Sequence, residues 1–231
     1  MSICQEIESC GFAIVPDILD LATIEQLGSA LKRVNNSESV RTRVNVYAIR
    51  NLLDLVPEVR SLANSPTMRG LVEPVLGEGA FPVRGVFFDK TIEANWKVAW
   101  HQDLSLTVQK RIDVPGFGPW SIKAGVVHVQ PPVEILEGML AMRVHLDACN
   151  ELTGALRVIP KSHLQGRLNS EQIQSYREKA NDVTCCFGPG GVLIMRPLLL
   201  HASTASTRPE YHRRVIHIEY AARQLPGGLR W

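Results

Sequence analysis

The sequence predicts a mainly β protein of the sandwich or barrel type, with helices gathered in its N-terminal third. Three observations carry this expectation. About eight short apolar runs, separated by turns containing Gly and Pro, follow residue 80. Before residue 80 the apolar residues recur at helical spacing. No repeat, low-complexity tract or linker divides the 231 residues, so a single domain is expected over 1–231, with 1–79 as its helical part and 80–231 as its β core.

The elements can be justified in order. Residues 11–19 form a short apolar run that reads as a strand. Leu21, Ile24, Leu27, Leu31 and Val34 then step by three and four residues, which predicts an amphipathic helix with Asp20 as its cap. Residues 35–43 are polar and read as a loop. Residues 57–76 read as one or two helices, interrupted at Ser65-Pro66 and ended by Gly77. Strands are expected at 81–90, 96–101, 124–129, 139–146, 155–159, 183–187, 191–195 and 213–220. Residues 113–119 form a loop, 169–180 suit a helix, and the alternation of Leu104, Leu106 and Val108 fits either a strand or the start of a loop.

Composition excludes several function classes. Hydrophobic residues make up 45%, charged residues 21%, and the net charge is +2, which is neither a disordered nor a nucleic-acid-binding profile. No run of 18 apolar residues crosses a membrane, and the first residues show no secretory signal. The five cysteines fit no zinc spacing, and Cys185 and Cys186 should point to opposite sheet faces. Reduced thiols and a cytoplasmic location are therefore expected. Composition does not explain the seven histidines.

Trp100-His101-Gln102-Asp103 closes a predicted strand. Residues two apart share a face, so His101 and Asp103 project together, with Trp96, Val98 and Trp100 expected on the opposite, apolar face. An imidazole beside a carboxylate supplies two of the three ligands of a facial triad, an arrangement that leaves positions open on Fe(II). His201, which follows three leucines, is the candidate third ligand, although a core histidine satisfied by backbone is the commoner explanation of such a residue alone. On 213–220, Arg213, Val215, His217 and Glu219 share one face, and Arg214, Ile216, Ile218 and Tyr220 the other. An inward Arg near iron would hold a dicarboxylate by a bidentate pair, whereas an Arg on a solvated face is more common.

These stretches together resemble the phytanoyl-CoA dioxygenase family of Fe(II)- and 2-oxoglutarate-dependent oxygenases. The likeness rests on Trp100-His101-Gln102-Asp103, on Leu146-Asp147, and on the run from Thr153-Gly154-Ala155 to Ser162-His163. It continues through Gly190-Gly191-Val192, His201-Ala202-Ser203 and Arg213-Arg214-Val215, and the opening Gly11-Phe12 also suits it. The resemblance implies a double-stranded β-helix, a cupin-like jelly roll with flanking helices. It implies iron held by His101, Asp103 and His201, with Arg213 and Ser203 on the distal carboxylate of 2-oxoglutarate. Arg214 is adjacent, and a register slip would exchange the two arginines. The implied reaction consumes O2 and 2-oxoglutarate, releases succinate and CO2, and oxidises a substrate C–H bond. Hydroxylation is expected; desaturation, ring closure or epimerisation would begin with the same hydrogen abstraction. Relatives that halogenate lack the ligand carboxylate, so Asp103 disfavours halogenation. Lys161 stands where the family often has Gly, and Gly191 where it often has Asp; both read as turn variation.

Further candidates for substrate contact or support of the ligands are Gln102, His128, Gln130, Lys90 and Arg143, although a surface position is commoner for a lysine such as Lys90. His145 could line the lumen, His163 suits a turn, and His212 and His217 suit structural or supporting roles. Residues 35–50 and 104–123 are the expected entrance, because binding residues concentrate on loops. Their Arg41, Arg43, Arg50, Lys110, Arg111 and Lys123 hint at an anionic small-molecule substrate, and Phe117 and Trp120 could pack on it. Two other readings compete: a jelly-roll binding protein without turnover, and a zinc hydrolase using the same three ligands, which leaves Arg213 and Ser203 without a purpose.

Overall fold

The strand-like alternation beyond residue 80 folds into two facing antiparallel sheets. The computed structural model describes residues 1–34, 40–42, 46–123, 125–208 and 210–231. Of the loop expected at 35–43, residues 35–39 and 43 lie outside them and 40–42 prove to be a strand; residue 124, the first of another expected strand, also lies outside.

The helices are α1 (Ile3–Cys10), α2 (Leu21–Lys32), α3 (Leu52–Leu55), α4 (Pro57–Ala63), α5 (Pro66–Leu76), α6 (Val133–Glu137) and α7 (Ser170–Lys179). The strands are β1 (Phe12–Val15), β2 (Val40–Thr42), β3 (Val46–Ile49), β4 (Phe81–Lys90), β5 (Val98–His101), β6 (Leu106–Val108), β7 (Trp120–Lys123), β8 (Val126–Val129), β9 (Met139–His145), β10 (Leu156–Val158), β11 (Val183–Thr184), β12 (Val192–Met195), β13 (His201–Ser203) and β14 (Arg213–Ala221). Among the described residues, seven strands form a major sheet in the order β1-β12-β9-β14-β4-β3-β2, and four form a minor sheet in the order β11-β10-β13-β5. A third sheet, β6-β8-β7, stands apart from both. This is the jelly roll with flanking helices. No helix of the described residues is long and apolar enough to cross a membrane.

The major sheet is buried on both faces. Its outer residues, including Met142, Val144, Ile216, Ile218 and Tyr220, pack against Ile7, Leu27, Leu31, Leu62 and Met68 of the helical layer. Between the sheets, Ala141, Leu193 and Met195 meet Leu156, Val158 and Leu199 in a second core. Beyond that core the inner space opens into a cavity lined from both sheets, which is where the chemistry-bearing residues gather.

Several expectations need correction. Helix α1 is absent from the sequence reading, although Ser2 and Gln5 form a reciprocal capping box that marks its start. Strand β7 occupies 120–123, where a loop was expected, and Phe117 and Trp120 close a small core with Leu225, Leu229 and Trp231. The run 183–187 is strand only over its first two residues, so Cys185 and Cys186 lie beyond it, the first buried and the second exposed. The Gly190 turn admits no other residue without strain. Its φ is +84°, and a Cβ there would lie 2.2 Å from the carbonyl oxygen of Leu19. Lys161, at φ 68°, holds the left-handed conformation that glycine adopts without strain.

Candidate active site

Strands β5 and β13 are neighbours in the minor sheet, with His101 opposite His201. The pairing also contains an irregularity: Ser203 lies opposite Val98, so two steps along β13 span three along β5. This extra residue corrects the expected parity. Trp96 and Val98 line the same cavity as His101 and Asp103, and only Trp100 turns away, onto Ile159, Leu168 and Leu200.

His101, Asp103 and His201 offer ligand atoms that all lie within 4.8 Å of one another and could hold a metal ion. Nε2 of His101 is 3.7 Å from one Asp103 oxygen, and Nε2 of His201 is 3.6 Å from the other. Each imidazole is oriented from behind. Nδ1 of His101 lies 2.8 Å from the Ala99 carbonyl, and Nδ1 of His201 lies 2.9 Å from that of Leu199. A carbonyl can only accept, so Nδ1 carries the proton and Nε2 turns a lone pair into the cavity. Burial lowers the His201 imidazole to about 4, against the pull of Asp103, so it is neutral at pH 7. Burial works to raise the Asp103 carboxyl, but His201, His217 and His101 outweigh it and hold it low. The donor set is thus two imidazole nitrogens and a carboxylate.

Of the two roles expected for Gln102, its hydrogen bonds fit support of the ligands. Its amide donates to the carbonyls of Gly166 and Leu198, at 2.7 Å each, and its oxygen accepts from the Leu168 amide at 2.8 Å. The Asp103 amide donates to the Pro197 carbonyl at 2.9 Å. These bonds fasten the first two donors to the segment that leads into the third.

The opposite wall comes from β4, β9 and β14. Parity on β14 is as expected: Arg213, His217 and Glu219 line the cavity, and Ile216, Ile218 and Tyr220 enter the helix-covered core. Arg214 faces away from the cavity, where its Nε and Nη2 both donate to Asp147, at 2.9 and 2.6 Å. Arg213 is left with Nε and Nη1 buried and unpartnered, and Arg143 with Nε in the same state. Lys90 is buried, contrary to the surface position commoner for lysine, and donates to Ser203 Oγ at 3.1 Å and to the Thr204 carbonyl at 2.6 Å. Gly154 permits that approach, since a Cβ there would lie 2.6 Å from the Thr204 oxygen. Burial, then Arg213 and Arg143, push the Lys90 ammonium down to about 7. Burial, then Arg213, brings Arg143 down to about 10. Arg143 and Arg213 thus line the cavity, with Lys90 behind Ser203, and each unpartnered buried guanidinium nitrogen costs on the order of 1–3 kcal/mol.

Other candidates fall elsewhere. His128 and Gln130 belong to the third sheet and its following turn and do not line the cavity. His145 stacks on Phe187, His163 reaches the Glu8 carbonyl, and His212 pairs with Asp89 at 2.7 Å. The sequence reading overlooked Arg84, although it alternates with Val86, Phe88 and Lys90 along one face of β4. Arg84 pairs with Glu219 at 2.7 Å, and Glu219 lies 3.3 Å from His217.

The fold and the site define a double-stranded β-helix with two histidines and a carboxylate at its mouth. The sequence model of phytanoyl-CoA dioxygenase (PhyH) matches residues 7–215. The chain belongs to that family, and with it to the non-haem Fe(II)/2-oxoglutarate-dependent dioxygenases. No curated protein sequence matches it significantly. Among solved structures, EctD from S. alaskensis with bound Fe is similar in fold, with 18% identity, a TM-score of 0.71, and coverage of 94% of this chain and 75% of EctD. SnoN, a non-heme alpha ketoglutarate dependent epimerase from nogalamycin biosynthesis, gives 18% identity and 0.69, covering 98% and 89%. EvdMO1 gives 20% and 0.69 over 95% of this chain, which spans about half of EvdMO1 (49%).

Proposed function

We propose that the protein hydroxylates a C–H bond of a small molecule, with His101, Asp103 and His201 holding Fe(II) and Arg213 and Ser203 receiving the distal carboxylate of 2-oxoglutarate. The observation that carries this reading is the pairing of a ready donor set with unpaired cations across one cavity. The two Nε2 lone pairs and the Asp103 carboxylate suit a divalent ion with open positions. The orphaned Nε and Nη1 leave the buried Arg213 guanidinium with donors to spare, which suits the arrival of a carboxylate. Lys90 holds Ser203 in place and adds positive charge behind it.

When bound, the iron and its cosubstrate supply the oxidising power, with 2-oxoglutarate converted to succinate and CO2. The residues of this chain do the rest. Leu199 and Ala99 fix the imidazole tautomers, Gln102 fixes the turn that carries Asp103, and Phe88, Val98 and Leu156 give the cavity an apolar lining that limits water. EctD and SnoN have been crystallised with 2-oxoglutarate or alpha ketoglutarate, which supports the assignment of the cosubstrate. The test is anaerobic addition of Fe(II) and 2-oxoglutarate, which should produce a weak visible charge-transfer band, followed by succinate release when oxygen and substrate are admitted. Absence of both band and bound metal would overturn the reading.

A further inference from the structure

Beside the metal cavity lies a second cavity of about 380 Å³. The two are contiguous, because Arg84, Val86, Phe88 and Trp96 line both. The far wall of the second cavity comes from the β2–β3 hairpin and the residue after it, which contribute Arg41, Tyr47 and Arg50. No carboxylate is found among the described residues that line it. Arg84 has its own partner in Glu219, but Nη1 of Arg50 is buried without a hydrogen bond. Burial, then repulsion from Arg41 and Arg84, lowers the Arg50 guanidinium from its usual value. Like charges gathered in a partly dry space are unfavourable unless an anion joins them. An apolar surface also stands beside the cations: Tyr47 and Phe88 pack tilted on Trp96, with ring centroids 5.9 and 6.4 Å apart.

We infer that the substrate carries an anionic group, a carboxylate or a phosphate, which Arg50 and Arg41 take in this vestibule while its apolar body crosses Trp96 and Phe88 toward the metal cavity. The inference rests on the dioxygenase reading and adds the class of substrate to it. It also narrows the entrance. Arg41, Tyr47, Ala48 and Arg50 border the vestibule, as expected of their segment, whereas no residue of 104–123 lines the vestibule or the metal cavity. Arg84 is the hinge point of recognition, because it touches the vestibule on one side and, through Glu219 and His217, reaches Arg143 in the metal cavity.

The test uses the full chain with Fe(II) and saturating 2-oxoglutarate under nitrogen, so that the cosubstrate's own carboxylates are already housed. The probes are 3-phenylpropionate, phenyl phosphate and the neutral 3-phenylpropanamide, titrated by calorimetry. At least one anion should bind about tenfold more tightly than the amide, the scale of one charge-assisted contact. That preference should disappear in the double variant R41Q/R50Q and partly return in R50K, which keeps the charge and guards against loss of folding. Preference for phenyl phosphate identifies a phosphate, and preference for 3-phenylpropionate a carboxylate. Equal binding of amide and anions, no anion binding at all, or a preference that survives R41Q/R50Q would each overturn the inference. The visible band is recorded on the same samples: a missing band strikes the dioxygenase reading, while a normal band without anion preference strikes only the vestibule.

Discussion

The two sheets differ in length, regularity and cargo. The major sheet has strands of up to ten residues, a ladder along β14 with one irregularity against β4 and none against β9, and a helix-covered outer face. The minor sheet has strands of two to four residues and a slipped pairing where it matters most. The metal-type donors sit on the minor sheet and the turn after it, whereas Arg143 and Arg213 sit on the major one. Stability and donor geometry are therefore carried by different elements, and a reaction that needs both depends on how the sheets face each other across the cavity.

This division can be broken from either side. The largest effect on function is expected from H201A, which should abolish iron binding and succinate release while leaving the circular dichroism spectrum unchanged; iron retained at wild-type level would refute the ligand assignment. The largest effect on stability is expected from M142A in the helix-covered core, at about 2–5 kcal/mol in denaturant unfolding, with the visible band kept in the protein that remains folded. Removing the brace with Q102A should weaken iron affinity roughly 10- to 100-fold, as loss of ligand support generally does, and chelator competition would measure it. The adjacent arginines sharpen the contrast within one strand. R213Q should raise the KM for 2-oxoglutarate about tenfold with little change in Tm, whereas R214Q, which breaks the Asp147 pair, should lower Tm and spare KM.

The smallest effect concerns pH. Lys90 titrates near 7 when folded and near 10.5 when unfolded. Between those values the unfolded chain holds more protons, so the stability of the ligand-free protein should rise with pH across that window. A carboxylate arriving nearby would restore the proton, so 2-oxoglutarate binding at pH 8 should take up protons. Calorimetry in buffers of different ionisation enthalpy would detect this, and a buffer-independent enthalpy would refute it.

The legible parts of the molecule share a physical reason. Strand β4 and strand β14 are long enough for period-two alternation to show, and Arg213 could be separated from Arg214 once the polar face proved to be the inner one. Helices α2, α4 and α5 declare themselves by Asp20, Pro57 and the Ser65-Pro66 break. Short elements were not legible: three residues of β13 carry no period, and the slip that turns Val98 inward depends on a partner a hundred residues away in sequence. His128 reads as a candidate for substrate contact because its strand sets Gln130 on the same face, yet alternation cannot say which sheet a strand joins. The burial of Lys90 was not legible, because its partners, Ser203 and Thr204, are supplied by tertiary contact alone.

The position of β5 has a further consequence. It is the outermost strand of the minor sheet, paired on one side only among the described residues, and it leads directly into the turn that carries Asp103. The exposure of the two imidazoles follows this arrangement: the His101 side chain is 38% exposed and that of His201 4%. An ion shared by all three donors would act as a staple, tying a fraying edge to the interior strand beside it. Iron removal should then speed amide hydrogen exchange over 98–103 far more than along β14, so an edge strand would be the one that senses the metal.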